Sequence, residues 1–264
     1  MAMANTSSPV LRYEKRDRKA YLILNRPEAM NAISTELAAA VSDAARDADR
    51  DDDILVVIVI GEGGRAFSAG ADLKEMTRID GEGKADRFAG MLHTDGIAEC
   101  GKPVIAAIDG YCLAGGLELA LRCDIRIATA KSTFGLPEPR RSLLAGYGLH
   151  NLSRMVPLGE ALYMQLSGVP IASERAFQIG LIQKVVPDRE ALLKEVEWLA
   201  EEIKQCAPLA VRAIKRIVMT GRNLPVEYSQ KLGVPIEQAV YGSEDRIEGP
   251  KAFAEKRKPV WKMK

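Results

Sequence analysis

Two carboxylates stand next to turns that could do chemistry. Glu118 follows Gly115 by three residues in Gly110-Tyr111-Cys112-Leu113-Ala114-Gly115-Gly116-Leu117-Glu118-Leu119-Ala120, a glycine-rich turn opening onto a helix. Glu138 ends the later segment Phe134-Gly135-Leu136-Pro137-Glu138. A helix N-terminus has unpaired N–H groups and partial positive charge, which suit an oxygen that turns negative during a reaction. One helical turn on, Glu118 can face whatever that N–H holds. An oxyanion donor beside one carboxylate, with a second carboxylate from a loop, implies proton movement next to a carbonyl. A further donor is expected in Ala66-Phe67-Ser68-Ala69-Gly70-Ala71-Asp72-Leu73, where small residues let a ligand approach the backbone.

Both glutamates also have a plain reading as solvated surface charges. Against this, Leu117, Leu119, Ala120 and Leu121 make the Glu118 helix apolar nearly all round. Such a helix is buried, and a carboxylate on it needs a reason.

The elements that must position these groups read as α/β. Short apolar runs at residues 20–24, 54–60 and 104–108 are expected to be buried strands, with a further strand at 125–128 after a helix over 115–122. Residues 34–49 carry Leu37, Val41, Ala44, Ala45 and Ala48 at helical spacing, with Ser34 as N-cap. This alternation predicts a largely parallel sheet. After residue 150 helices dominate, at 152–155, 159–166, 173–180, 189–206, 209–220 and 228–241, punctuated by Pro170, Pro187, Pro208 and Pro225. Residues 72–101 are polar, carry Gly81, Gly83 and Gly90, and read as a mobile flap. No internal repeat is evident.

Composition removes several alternatives. The 264 residues are 47% hydrophobic and 28% charged, and 37 basic against 36 acidic residues leave a net charge of +1. That balance gives no bulk attraction to nucleic acid or membrane. The run at 54–60 is too short to span a bilayer, and residues 1–9 read as a loose tail without the regions of a signal peptide. Cys100, Cys112, Cys123 and Cys206 match no zinc or redox spacing, as expected of reduced thiols in a cytoplasmic protein. With only His93 and His150, and no Gly-x-Ser-x-Gly, neither a histidine-built metal site nor a serine triad is expected.

Set in order, the motifs resemble the enoyl-CoA hydratase/isomerase (crotonase) superfamily. They are Asn25-Arg26-Pro27-Glu28-Ala29-Met30-Asn31-Ala32, the 66–73 segment, Lys102-Pro103-Val104-Ile105-Ala106-Ala107-Ile108-Asp109-Gly110, the 110–120 segment with Cys123-Asp124, and the 134–138 segment. Later come Gly180-Leu181-Ile182, Gly249 and Ala252-Phe253-Ala254-Glu255-Lys256-Arg257. The resemblance implies a crotonase-like ββα spiral core over residues 10–200. It implies a C-terminal helical trimerisation region over 201–264, in a homotrimer or homohexamer. It also implies an acyl-CoA thioester substrate whose oxyanion is held by the N–H groups of Ala71 and Gly115. Glu118 would deprotonate water for attack at C3, and Glu138 would protonate C2. Ala69, Gly70, Asp72, Leu73, Lys74, Gly116, Gly146, Tyr147 and Lys256 fall at substrate-binding positions, the two lysines near the CoA phosphates or adenine unless they are merely solvated. No metal or redox cofactor is implied, since CoA arrives as part of the substrate.

The chain departs from the family after Glu138. A run of the type Gly-x-x-Pro-Gly-x-Gly-Gly-Thr-Gln-Arg-Leu is replaced by Pro139-Arg140-Arg141-Ser142-Leu143-Leu144-Ala145-Gly146-Tyr147-Gly148-Leu149-His150-Asn151-Leu152. Pro139 biases Glu138 away from helical conformation. Arg140 and Arg141 would lower a nearby carboxyl pKa, which suits a base better than an acid. Tyr147 and His150 either line the acyl pocket or pack.

Three rivals stand beside hydration. Isomerisation, thioester hydrolysis, decarboxylation or dehalogenation could use the same scaffold. Residues 54–60 followed by Gly61-Glu62-Gly63-Gly64-Arg65-Ala66 match the start of a dinucleotide fingerprint, but residues 67–72 make a poor helix. A non-enzymatic RNA-binding role would use the basic tail of Lys251, Lys256, Arg257, Lys258, Lys262 and Lys264, against the near-neutral net charge.

Overall fold

The computed structural model describes residues 7–81 and 93–264. Its strands are β1 (Ser7–Ser8), β2 (Leu11–Arg16), β3 (Lys19–Leu24), β4 (Val56–Gly61), β5 (Ala66–Ser68), β6 (Val104–Ile108), β7 (Tyr111–Leu113), β8 (Ile125–Thr129), β9 (Thr133–Gly135), β10 (Ile171–Ala172) and β11 (Lys184–Val186). Seven of them form one sheet in the order β1-β2-β3-β4-β6-β8-β11, and the other four a second sheet in the order β10-β9-β7-β5. From β3 to β11 the first sheet is parallel, and its central strands β4 and β6 are the continuous apolar runs expected of strands covered on both faces. The antiparallel β2–β3 hairpin closes through Asp17 and Arg18, both at positive φ, the geometry of a tight hairpin turn.

The two sheets arise from one repeated step. β4 turns into β5, β6 into β7 and β8 into β9, each time leaving the first sheet for the second. The helices Leu73–Gly81 and Gly115–Arg122 follow the first two of these pairs. Gly110 makes the β6–β7 turn with φ +85°, where a Cβ would lie 2.1 Å from the Arg65 carbonyl oxygen, so only glycine fits. The repeat is silent in sequence because the second-sheet strands β5, β7 and β9 are three residues long. The same step disposes of the dinucleotide fingerprint. The turn after β4 leads into β5 instead of a helix.

Helix Thr35–Arg50 starts at Ser34, whose Oγ accepts the Leu37 N–H at 3.2 Å, and buries Leu37, Val41, Ala44, Ala45 and Ala48. Helices Leu158–Ser167, Ser173–Gln178 and Arg189–Gln205 lie close to their expected bounds, while the expected helix at 152–155 is a 3₁₀ turn, Leu152–Arg154. Where described, residues 72–101, the expected flap, hold regular structure. They form helices Leu73–Gly81 and Asp95–Glu99, with Ile79, Ile97 and Cys100 buried. Residues 82–92 of the expected flap lie outside the described residues.

The chain divides into two compact units. One holds both sheets; the other joins residues 101–103 to residues 198–264. In the second unit helices Pro208–Gly221, Val226–Tyr241 and Asp245–Ala254 follow one another, the last two with internal prolines, Pro235 and Pro250. Pro250 hid the last helix from the periodicity. Its N-terminal Asp245 accepts the N–H groups of Lys262 and Met263 at 2.7 and 3.0 Å, which holds the C-terminal strand of chain against the helix. Among the described residues no helix is long and apolar enough to cross a membrane.

Candidate active site

Two loops, one after β5 and one after β7, press their backbones together. Gly70 has φ +99°, and a Cβ there would lie 2.5 Å from the Ala114 Cβ and 3.1 Å from the Gly115 nitrogen. A Cβ on Gly115 would lie 3.6 Å from the Ala71 nitrogen. Ala71 bridges Ile33 in parallel fashion, with Ile33 N–H donating to the Gly70 carbonyl at 2.7 Å and Asp72 N–H to the Ile33 carbonyl at 3.0 Å. That pattern turns the Ala71 N–H away from the bridge. Gly115 opens its helix with no side-chain cap at Ala114. Among the described residues neither the Ala71 nor the Gly115 N–H has a protein acceptor.

Ala114 is held in an unusual conformation for a residue with a side chain, φ +52° and ψ −130°. Its N–H donates to the Gly135 carbonyl at 2.9 Å and its carbonyl accepts the Glu118 N–H at 3.0 Å. The surroundings thus fix a backbone that an isolated alanine would leave, a pattern that gathers at functional sites. Gly116 packs on β5, where a Cβ would meet the Ser68 carbonyl at 2.3 Å.

Glu118 is half-buried on a helix whose Gly116, Leu117, Leu119, Ala120 and Leu121 are buried, as its apolar flanks required. Its Oε1 accepts the Gly148 N–H at 2.7 Å. Burial raises the Glu118 carboxyl above the usual range, while the Gly148 N–H, the Arg122 charge and the Tyr147 N–H pull it back.

Glu138 begins a 3₁₀ turn, Glu138–Arg141, contrary to the expectation that Pro139 would keep it out of helical conformation. Proline is tolerated in a first turn because its missing N–H would have no partner there. Glu138 Oε2 is buried with no hydrogen-bond partner among the described residues. Burial, and after it the nearby Glu118 charge, push its carboxyl up to about 7, against its own N–H and Arg141. Arg140 is not among the charges acting on it, and its Nε donates to the Ser167 carbonyl at 3.2 Å.

The remaining expected site residues separate into engaged and open. Asp72 caps helix Leu73–Gly81, its Oδ1 accepting the Lys74 and Glu75 N–H groups at 3.1 and 3.3 Å, and its Oδ2 pairs with Arg26 at 2.8 Å. Burial would raise its carboxyl, but Arg26 and these N–H groups hold it below the usual range. Ala69 is tied to the Met30 carbonyl at 3.0 Å. Leu73 and Lys74 are exposed on the same helix, and Lys256 is exposed in the other unit. Gly146 leads into helix Tyr147–Asn151, with the Glu118 carboxylate 3.7 Å from where its Cβ would be. Tyr147 packs against the core and under the Arg122 guanidinium, whereas His150 is exposed.

Sequence reasoning missed Gly148, Arg122 and Ala114. The first acts through a backbone N–H and the last through a dihedral angle, neither of which a residue type reveals. Arg122 had a signal, being a long cation four residues beyond Glu118 on the same helix.

The chain is similar to known proteins along nearly its whole length. The family model described as enoyl-CoA hydratase/isomerase matches residues 15–264. An (E)-benzylidenesuccinyl-CoA hydratase from Thauera aromatica is 37% identical over 92% of this chain and 95% of its own length. An enoyl-CoA hydratase from Mycobacterium tuberculosis is 38% identical over 96% of each chain. The crystal structure of an enoyl-CoA hydratase from Bacillus anthracis superposes with a TM-score of 0.92 at 31% identity, covering 97% of this chain and 100% of that one. The likeness runs through the motifs, both sheets and the helical C-terminal part, and the chain belongs to the enoyl-CoA hydratase/isomerase family.

Proposed function

We propose that the protein adds water across the C2–C3 double bond of a 2-enoyl-CoA thioester. The observation that carries this is the unequal pair of carboxyls beside two unpaired N–H groups. Glu118 receives an N–H bond and the field of Arg122, which favour its ionised form. Glu138 has a bare buried oxygen and a pKa near 7, so it holds a proton in part at neutral pH. Burial raises both carboxyls, but Glu118 has N–H donors and a cation that the bare Glu138 oxygen lacks, and a pair in such unlike surroundings divides into base and acid.

In the reaction the thioester oxygen sits between the N–H groups of Ala71 and Gly115. Glu118 takes a proton from water as its oxygen bonds to C3. The C2–C3 π electrons move toward the carbonyl, and negative charge gathers on the held oxygen, where a single N–H is worth about 3–4 kcal/mol in comparable sites. Glu138 then gives its proton to C2. The proton gained by Glu118 and the one lost by Glu138 balance once the pair exchanges with solvent. No metal or redox step is needed. Relatives named as hydratases of enoyl-CoA and of (E)-benzylidenesuccinyl-CoA support this choice within the family. Lys74 and Lys256 are proposed to meet the CoA phosphates or adenine, Lys256 in a trimeric or hexameric assembly reaching a neighbour's site.

The test is mass gain of one water on short, long, branched and aromatic enoyl-CoA thioesters, with Glu118→Gln and Glu138→Gln proteins alongside. Hydration that both substitutions abolish supports the proposal. Folded protein that binds CoA and hydrates none of them overturns it, and isomerase, hydrolase and lyase assays become the next measurements.

A further inference from the structure

Arg122 ends the helix that carries Glu118 and touches three elements at once. Its guanidinium carbon lies 4.0 Å from the centroid of the Tyr147 ring. Nη2 donates to Asp95 Oδ1 at 3.2 Å, on helix Asp95–Glu99, and Nη1 to the Glu118 carbonyl at 3.4 Å. The Arg122 side chain is only 9% exposed, which strengthens its stacking on Tyr147, while Asp95 is 41% exposed and its ion pair with Arg122 is partly screened by water.

Tyr147 directly precedes Gly148, whose N–H is bonded to the Glu118 carboxylate. Their helix, Tyr147–Asn151, has five residues and no side-chain cap, so little within it fixes where its first N–H groups point. It also lies in the segment where the sequence leaves the family's pattern.

We propose that Arg122 is a positioning residue for Glu118: anchored on Asp95 and stacked on Tyr147, it holds the Gly148 N–H on one carboxylate oxygen and thereby aims the other. Arg122 itself touches no reacting atom. Its charge acts on Glu118 in the same direction, favouring the ionised carboxylate. The inference rests on Glu118 being the base.

The test compares Arg122→Met and Arg122→Lys in the full chain, on the enoyl-CoA thioester that the parent protein hydrates fastest. A carboxylate aimed wrongly by a fraction of an ångström loses about 10- to 100-fold in kcat. KM should stay within about threefold, because ground-state binding is untouched. Lysine keeps the charge without the flat fork, so it recovers little of the loss. Should Arg122→Met not fold, judged by its melting curve, Arg122→Lys gives the result. On a Glu118→Gln background the Arg122 substitution should cost nothing further. Unchanged kcat, a loss carried by KM, or an equal further loss on the Gln background would each overturn the proposal. Glu118→Gln alone separates the two ideas: full activity in that variant means the assignment of Glu118 as base has failed, whatever Arg122 does.

Discussion

The Glu118 carboxylate accepts the Gly148 N–H across 2.7 Å, joining residues 30 apart in sequence. One oxygen is therefore engaged by the Gly148 N–H, and in the proposed reaction the carboxylate would orient water. Glutamine at position 118 keeps the oxygen that accepts this bond and loses the basicity. Glu118→Gln is expected to lower the hydration rate by about 100- to 10,000-fold, the usual worth of a general base. Its melting temperature should change little, and mass-detected hydration beside a melting curve checks both.

The Glu138 carboxyl, ordinarily near 4.5, is raised to about 7. Between those values the folded protein keeps a proton that the unfolded chain has released. Stability contributed by this group is thus present below about pH 4.5, falls as pH rises through about 7, and stays lost above. Urea midpoints between pH 5 and 8 should decline less in Glu138→Gln than in the parent protein. As the proposed proton donor it must also be protonated to act, so the hydration rate should drop as pH passes about 7. A rate that rises through this range would contradict the assignment of Glu138 as acid.

Gly70 sits at φ +99° with Ala114 2.5 Å from its missing Cβ. Gly70→Ala must both strain the backbone and push apart the loops carrying the Ala71 and Gly115 N–H groups. A stability loss of about 2–4 kcal/mol is expected from urea unfolding. In the folded fraction, kcat should fall by about 100-fold if the separated donors no longer share one oxygen.

Ala114 shows the opposite case, a side chain where glycine is easier. Its φ of +52° with ψ −130° is nearly closed to alanine. Ala114→Gly is expected to raise stability by about 1 kcal/mol, the relieved strain exceeding the extra chain entropy of glycine. A lower urea midpoint in this variant would show that the conformation costs little.

Much of the first sheet was legible because its strands are continuous apolar runs. Residues 20–24, 54–60 and 104–108 could hardly be anything else, and they match β3, β4 and β6 within about two residues. β2 was missed because only Leu11 and Tyr13 face inward between charged neighbours. β5, β7 and β9 are too short to show a period, although they make the second sheet and lead into the site. The polar stretch from residue 72 looked like a flap because helix Asp95–Glu99 has just five residues, with Ile97 as its inward anchor.

By itself the sequence determined the types and order of the candidate reacting groups: Glu118 one turn into a helix, Glu138 after a proline, and small residues at 69–71 and 114–116. It did so because helical spacing and glycine's backbone freedom act locally. Only the tertiary structure decided how the two carboxyls differ. A pKa depends on burial, on donors and on charges brought from elsewhere in the chain: Gly148 and Arg122 for Glu118, Glu118 and Arg141 for Glu138. The closeness of Gly70 to Ala114 belongs to the same category, since it exists only once the chain has turned from β4 to β5 and from β6 to β7.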